Sequence, residues 1–494
     1  MPAAAQIASN GTVHRADPSV ATVRLAMRRT KIVATIGPAS REPEVLLQLV
    51  EAGMDVARLN YSHGTLDEHA ETAQRVRDAS SRAGHPVAIL QDLPGPKLRI
   101  GSLKDGVVEL TPGDSVTFEC GTEIVGDASR MSVTWKGLAA ALEPNEILYL
   151  ADGSIRLRVR ATRPADFELD AEVEVGGIVA SRQGLNIPGP AVGLPAVPEE
   201  DLALLAHGES IGVDLVALSF VRSASDIEFV REYTRLPLIA KVEKPQAVDN
   251  AYEVIRAADC VMVARGDLGI ELPIEQVPLV QKRLLTLAGE LARPSITATQ
   301  MLESMVSSSR PTRAEVADVA NAILDGTDAV MLSQETAVGA YPVGAVSMMS
   351  AVAEVTEKSA DYLAWNERRV RRTAKDPAYT VAYAACAAAR ELSLDAIVVP
   401  TLSGRSARLV SAHRPQVPIY ALSPGRETVR RCGLMWGVQA SWIRRHEVTE
   451  ELILDAALSV VRLGWCKPGQ RVAITAGLPS GSPGTTSLLQ IQTL

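Results

Sequence analysis

Eight short β-branched or apolar runs alternate with amphipathic helical patterns: Lys31–Ile36, Asp55–Leu59, Val87–Leu90, Leu215–Phe220, Pro237–Val242, Cys260–Ala264, Ser295–Ala298 and Asp328–Leu332. Runs this short and this apolar suit strands covered on both faces, and their alternation with helices favours βαβ units and a parallel sheet. Eight such units are what a (β/α)8 TIM barrel requires. One interruption breaks the series. From about Leu98 to Arg182 no long helical period occurs, and short alternating strands take over at Ser115–Cys120, Ile147–Leu150, Ile155–Val159 and Glu168–Val175. With Phe118, Trp135 and Phe167 to build a core, this segment reads as a small β-barrel domain inserted in a βα loop, not as a disordered insert. After about Thr356 a charged stretch, Asn366–Lys375, leads into an Ala-rich helix around Tyr379–Leu392. Strands near Ala396–Pro400, Ile419–Ser423, Gln439–Ile443, Arg471–Ala476 and Leu489–Thr493 then make an open, mostly parallel α/β domain. The expected division is a tail (1–27), a first barrel part (28–97), the insert (98–182), a second barrel part (183–355) and a C-terminal domain (356–494). No internal sequence repeat is evident.

Composition narrows the function classes. The 494 residues are 47% hydrophobic and 22% charged, with a net charge of −8, so no basic excess favours nucleic acid or an anionic membrane. No apolar stretch approaches the ~18 residues that span a bilayer, and the first thirty residues lack the apolar core of a secretory signal. The five cysteines (Cys120, Cys260, Cys386, Cys432, Cys466) include no C-x-x-C, so neither a disulfide framework nor structural zinc is expected. A cytoplasmic enzyme is the expectation. There is no P-loop, no G-x-G-x-x-G and no H-E-x-x-H. His63 beside Ser62 has no matching acid, which leaves hydrolase chemistry without support.

The C-terminal ends of barrel strands and the loops beyond them carry a barrel's reactive groups. Here those ends bring Arg58, Asn60 and Ser62, then Gln91 and Asp92, then Lys241 and Glu243, then Arg265, Gly266 and Asp267, and finally Thr299. Polar residues at the mouths of so many apolar strands are not needed for packing. Glu243 and Asp267 end neighbouring strands and suit one hard divalent cation, two carboxylates plus substrate oxygens and water completing an octahedral Mg²⁺ shell. Taken alone they could equally cap helices or pair with Lys241 and Arg265. Lys241, two residues before Glu243, projects to the same side of its strand and can neutralise charge on a phosphoryl oxygen or an enolate. Ala264-Arg265-Gly266-Asp267-Leu268-Gly269 is a strand-to-turn segment whose amides suit a carboxylate, although an ordinary glycine turn accounts for it as well. Thr312-Arg-Ala-Glu315 has the form of a helix capping box.

Several long motifs, ordered along the chain, resemble those of pyruvate kinases. They are Leu236-Pro-Leu-Ile-Ala-Lys-Val-Glu-Lys-Pro-Gln-Ala-Val248, Met262-Val-Ala-Arg-Gly-Asp-Leu-Gly269, Ala298-Thr-Gln-Met-Leu-Glu-Ser-Met305 and Arg310-Pro-Thr-Arg-Ala-Glu-Val316. To these add Met331-Leu-Ser-Gln-Glu-Thr-Ala337, Arg28-Arg-Thr-Lys-Ile-Val33 with Ile36-Gly-Pro-Ala-Ser40, and Val56-Ala-Arg-Leu-Asn-Tyr-Ser-His-Gly64. The resemblance implies a barrel, an inserted β domain acting as a lid, a C-terminal regulatory domain, and phosphoryl transfer from phosphoenolpyruvate to ADP. It implies that Glu243 and Asp267 hold Mg²⁺ or Mn²⁺, that Lys241 stabilises the transferring phosphoryl and the enolate, and that Arg58 grips the phosphoryl group. Ala264, Arg265, Gly266 and Asp267 would meet the substrate carboxylate, and Thr299 would lie near the carbon to be protonated. Asn60, Ser62 and Asp92 match the monovalent-cation region, while Asn60, His63 and Arg99 lie toward the nucleotide. Thr401-Leu-Ser-Gly-Arg-Ser406, including Ser403, Gly404 and Arg405, resembles an effector loop for a sugar phosphate or nucleotide, a merely structural turn being the alternative. A homotetramer is implied by the same route.

The chain departs from the family at a few positions. Potassium-requiring members carry Asp-Thr-Lys-Gly-Pro-Glu where this chain has Asp92-Leu-Pro-Gly-Pro-Lys97. Leu93 offers no side-chain oxygen, and Lys97 places a tethered ammonium where a carboxylate stands, a pattern that resembles the potassium-independent branch. Gln183 stands where many members have a lysine, and Gln334 where a glycine is usual. A different barrel enzyme acting on phosphoenolpyruvate or pyruvate, a lyase or aldolase, is the competing reading. It would need neither the lid nor the nucleotide-side residues.

Overall fold

The structure is a computed structural model that describes residues 28–96, 98–151, 153–187, 197–359, 376–477 and 486–494. Eight parallel strands close into a barrel: β1 (Lys31–Thr35), β2 (Val56–Asn60), β3 (Ala88–Asp92), then β12 (Leu215–Leu218), β13 (Leu238–Val242), β14 (Cys260–Ala264), β15 (Ser295–Ala298) and β16 (Ala329–Leu332), which returns to β1. Their apolar character follows from burial on both faces. Val33 faces the barrel interior with Val56, Ala88, Ile239 and Met262, while its neighbours Ile32 and Ala34 pack in the layer beneath the helices. Asp55 and Asp328, expected inside strands, instead lie just before them.

That displacement has a structural reason, and it exposes a recurrence that sequence reading misses. Asp55, Asp214, Asp259 and Asp328 each immediately precede an even-numbered barrel strand. Each carboxylate accepts a backbone N–H from the neighbouring odd strand: Ile32 at 2.9 Å, Ile89 at 2.9 Å, Leu238 at 3.0 Å and Ser295 at 2.8 Å. These buried or half-buried anions are each paired with arginine. Arg28 lies 2.8 Å from Asp55, and burial alone would raise that carboxyl, yet Arg28 and Lys31 hold it far below the usual range. Two of the partners come from the C-terminal domain, Arg430 on Asp214 at 2.8 Å and the fully buried Arg414 on Asp328 at 2.9 Å. Leu434 of the same domain joins the barrel-interior cluster, so this domain plugs the barrel at the end opposite the strand mouths.

The insert follows β3 and carries β4 (Val107–Leu110), β5 (Ser115–Cys120), β6 (Arg130–Val133), β7 (Ile147–Leu150), β8 (Ile155–Arg163), β9 (Glu168–Val175), β10 (Gly177–Ala180) and β11 (Leu185–Asn186). Six of them form one sheet in the order β11-β7-β8-β9-β5-β6, and β10 pairs with β4 as a ribbon. The sheet is a curled half-barrel, not a closed barrel. Only isolated bridges such as Ile100 to Val133 and Arg99 to Gly184 extend its margins. Phe118 is buried in its core and Trp135 packs against it, as expected. Phe167 does not: it is 40% exposed in a turn at φ 57°, with the Lys136 ammonium 4.3 Å from its ring centre.

The C-terminal sheet runs β19-β18-β17-β20-β21, from β17 (Ala396–Pro400), β18 (Ile419–Ser423), β19 (Val438–Trp442), β20 (Arg471–Gly477) and β21 (Thr486–Thr493). All pairs are parallel except β20 with β21. The Ala-rich helix is Pro377–Glu391. The N-terminal tail and the Asn366–Lys375 stretch lie outside the described residues. Among the described residues no helix is long and apolar enough to cross a membrane.

Candidate active site

Lys241, on β13, is the hub of the strand mouths. Its ammonium lies 2.8 Å from Glu243 Oε1 and 3.3 Å from Asp92 Oδ1, and it donates to Ser219 Oγ at 2.6 Å. Residues two apart on a strand share a face, so Lys241 and Glu243 meet as their spacing requires. Burial opposes the charge on Lys241, but Asp92, Glu243 and Asp267 outweigh it and raise its pKa above the ordinary lysine value. Burial pushes the Glu243 carboxyl up, with Asp267 adding to the rise and Lys241 opposing it. Asp92 would rise on burial too, yet Lys241 and Arg58 hold it below the usual carboxylate range.

Arg58, near the end of β2, donates to Asp92 Oδ2 at 2.7 Å and to Thr35 Oγ1 at 2.9 Å. Arg58, Asp92, Lys241 and Glu243 therefore form one chain of alternating charge across three strands. Asp267 sits half-buried in the first turn of the helix Arg265–Glu271, where the free N–H groups favour an anion. Among the described residues no three His, Cys, Asp or Glu side chains gather to hold a metal ion. A two-carboxylate set is what Mg²⁺ uses when substrate oxygens and water supply the remainder. Glu243 Oε1 fits that use, being buried with no hydrogen bond, only the ammonium beside it.

The Arg265 side chain is committed to structure. It donates to Thr299 O at 2.7 Å and to Ala298 O at 3.3 Å, and pairs with Asp318 at 2.7 Å. These bonds brace Thr299, which stands at φ 69° with Gln300 at φ 54°, a strained pair for residues bearing a Cβ. The Thr299 hydroxyl accepts from Gly266 N at 2.7 Å and donates to Ala298 O at 2.7 Å, so the β15 and β14 mouths are tied together.

Asn60 accepts the Ser62 N–H at 3.2 Å, and exposed His63 has its carbonyl bonded by His69 at 2.9 Å. Arg99 reaches Arg182 O at 3.0 Å at the root of the insert. The Leu93 side chain is buried, and Lys97 lies outside the described residues. The Thr401–Ser406 loop is remote from this mouth, in the C-terminal domain. There Thr401 Oγ1 accepts from Gly404 N at 3.0 Å, Arg405 pairs with Asp376, and Ser406 meets Thr486 at 2.5 Å. Ser403 is exposed, and Gly404 takes φ 83°. Glu315 and Thr312 form the expected capping box.

Asp201 was missed by sequence reading, its only signal being its place at a helix start. Its buried carboxylate accepts Gly95 N–H at 2.8 Å in the segment leading into the insert. Burial pushes its pKa up to about 6, Glu200 and Asp92 adding to the rise. The folded chain thus keeps a proton that the unfolded chain has lost, and this group's contribution to stability falls as pH rises from about 4 to about 6. Asp201→Asn retains an acceptor for Gly95 and cannot ionise. Its melting temperature should exceed the parent's by more at about pH 7.5 than at about pH 4.5, and equal differences at both would contradict the assignment.

Fold and site together define a (β/α)8-barrel enzyme that handles anionic substrates by positioning and charge neutralisation. The family model "Pyruvate kinase, barrel domain" matches residues 27–346, and "Pyruvate kinase, alpha/beta domain" matches residues 379–492. The chain belongs to the pyruvate kinase family. It is 41% identical over 473 residues to pyruvate kinase of Geobacillus stearothermophilus, covering 94% of this chain and 80% of that one. To pyruvate kinase of Agrobacterium vitis it is 42% identical over 466 residues, covering 94% and 98%. A crystal structure of a pyruvate kinase from Cryptosporidium parvum superposes with a TM-score of 0.87 at 32% identity, over 94% of this chain and 96% of that one. The activity is phosphoryl transfer from phosphoenolpyruvate to ADP, giving pyruvate and ATP in glycolysis. Divalent-cation dependence accompanies the family.

Proposed function

We propose that the mouth of this barrel performs the transfer with Lys241, Arg58 and Thr299 as catalytic residues and Glu243 and Asp267 as the ligands of Mg²⁺ or Mn²⁺. The observation that carries this reading is the Lys241 ammonium between Glu243 and Asp92. When bound, the divalent ion supplies positive charge beside the phosphoryl and enolate oxygens. Arg58, held in its fork by Asp92 and Thr35, grips the phosphoryl group. Lys241 opposes the negative charge that grows on the transferring phosphoryl and stays on the enolate oxygen, which is catalysis without a nucleophile. The Ala264–Asp267 backbone takes the substrate carboxylate, and Arg265 acts through Thr299 and Ala298. The Thr299 hydroxyl stands where a proton, directly or through water, reaches the methylene carbon. Asn60, His63 and Arg99 face the nucleotide. The inserted domain between residues 98 and 182 serves as the lid, with the barrel from residue 28 and the regulatory domain from residue 356.

Potassium is not required in this reading. Asp92 already faces two side-chain cations, Arg58 and Lys241, and the Leu93 side chain has no oxygen to offer. In the sequence, Lys97 stands where potassium-requiring members carry a carboxylate, which exchanges a negative for a positive charge in that segment. Regulation by a phosphorylated effector at Thr401, Ser403, Gly404, Arg405 and Ser406 proceeds in competition with the Asp376 and Thr486 contacts. The assembly is a homotetramer and the compartment is cytoplasmic.

A lactate-dehydrogenase-coupled assay with Mg²⁺ in tetramethylammonium buffer tests both activity and ion requirement. Pyruvate should form only when ADP and phosphoenolpyruvate are both present, and KCl should raise the rate by less than about twofold. ADP-independent pyruvate formation points to the lyase or aldolase reading. Activation of about tenfold or more by KCl contradicts potassium independence.

A further inference from the structure

Ser219 directly follows β12 and is 4% exposed. Its hydroxyl has two neighbours of opposite kind: it accepts from Lys241 Nζ at 2.6 Å and donates to Leu93 O at 2.7 Å. One hydroxyl holds one proton, and Leu93 takes it, so the lone pair is fixed toward the ammonium. Phe220, the next residue, stands at φ 56° and gives its N–H to Glu243 Oε2 at 2.9 Å. A bulky residue in the left-handed region must be held there by its surroundings. Across from it, a Cβ on Gly95 would come within 2.8 Å of Phe220 and 3.0 Å of Ser219, and Gly95 itself takes φ 69°. The two-residue turn therefore touches Lys241, Glu243 and the segment that opens the insert.

An ammonium has three protons, and here three oxygens surround it: Glu243, Asp92 and Ser219. Two of those are anions that position the charge and cancel it together. The hydroxyl positions without cancelling. We propose that Ser219 is a positioning residue for phosphoryl transfer, fixing the third side of a Lys241 ammonium that already contacts both carboxylates and anchoring it to the Leu93 carbonyl at the root of the insert. This rests on the role given to Lys241 above and deepens it. Without the hydroxyl the ammonium keeps only its two carboxylate contacts and swings out of its present position, and a displacement of about 1 Å at a reacting centre costs on the order of 10²-fold in rate.

Ser219→Ala should therefore lower kcat by about 30- to 100-fold with KM for phosphoenolpyruvate within about threefold. Ser219→Thr, which keeps the oxygen, should recover most of that loss. Placed on Lys241→Ala, the Ser219→Ala change should cost less than about twofold more, since it acts through a group already gone. A crystal structure of Ser219→Ala should show Lys241 Nζ displaced by about 1 Å from its place in the parent, with its carboxylate contacts kept at ordinary ion-pair distances. A kcat within about twofold of the parent, an undiminished loss in the Lys241→Ala background, or an unmoved ammonium would each overturn the proposal. Should the parent enzyme form no pyruvate from phosphoenolpyruvate and ADP, the catalytic reading fails instead, and the position of Nζ in the variant crystal still decides the role of Ser219.

Discussion

Lys241→Ala is expected to lower kcat by about 10³-fold or more while KM for phosphoenolpyruvate changes by less than about tenfold. The split follows from where the charge develops. In the proposed mechanism the ground-state phosphoryl already has Arg58 to hold it, whereas charge migrating to the enolate oxygen grows only along the reaction coordinate and is met by the ammonium. Removing a single preorganised donor from an oxyanion site costs about 10²- to 10³-fold, and a full charge acting through a buried site exceeds that. The variant also removes a cation from two buried carboxylates, leaving Asp92 with Arg58 alone and Glu243 without the ammonium beside it, a loss of about 3–5 kcal/mol when neither adjusts. The rate must therefore be referred to folded protein, with the melting temperature measured alongside. A kcat loss below about tenfold would contradict the role.

Glu243→Gln is expected to weaken Mn²⁺ binding to the free enzyme by about 10²-fold and to lower kcat/KM by about 10³-fold. The amide keeps the size of the side chain and an acceptor for Phe220 N–H, which Glu243 Oε2 meets at 2.9 Å. What disappears is one of the two carboxylates proposed to hold the ion, and hard cations discriminate by ligand charge. Electron paramagnetic resonance of free Mn²⁺ reads the affinity without any turnover. An unchanged Mn²⁺ affinity would remove Glu243 from the metal site, whatever happened to the rate.

How much of this was legible in the chain depends on what each feature buries. All eight barrel strands and β17, β18 and β20 of the C-terminal sheet announced themselves because both their faces are covered, which forces apolar runs, whereas the edge strands β19 and β21 are partly exposed. The ribbon of β4 and β10 did not, since Val107 and Ile178 are 53% and 69% exposed and leave no alternation to read. Phe167 misled because aromaticity suggests a core, whereas its turn conformation turns it outward. The four aspartates beneath the even strands share only their position, and that becomes visible when each takes an N–H from the strand beside it.

The site divides in the same way. Lys241 and Glu243 were readable as a pair because strand spacing fixes their common face, and the structure brings them to 2.8 Å. The bond between Arg58 and Asp92 joins residues 34 apart in sequence, so the parallel pairing of β2 with β3 and not local pattern creates it. Arg265 stood beside Asp267 in the motif, yet its guanidinium turns away to brace Thr299. Ser219 had no pattern at all, and Asp201 only its place at a helix start. Their importance comes entirely from what the fold lays against them.

The central claim is that two acids and an ammonium at the barrel mouth share one divalent ion and one enolate-like anion. Anomalous diffraction from crystals soaked with Mn²⁺ and oxalate tests it most directly. The account predicts a single Mn²⁺ peak about 2.1 Å from carboxylate oxygens of both Glu243 and Asp267, with an oxalate oxygen within hydrogen-bond reach of Lys241 Nζ. A peak elsewhere, or an ion held by neither carboxylate, would contradict it.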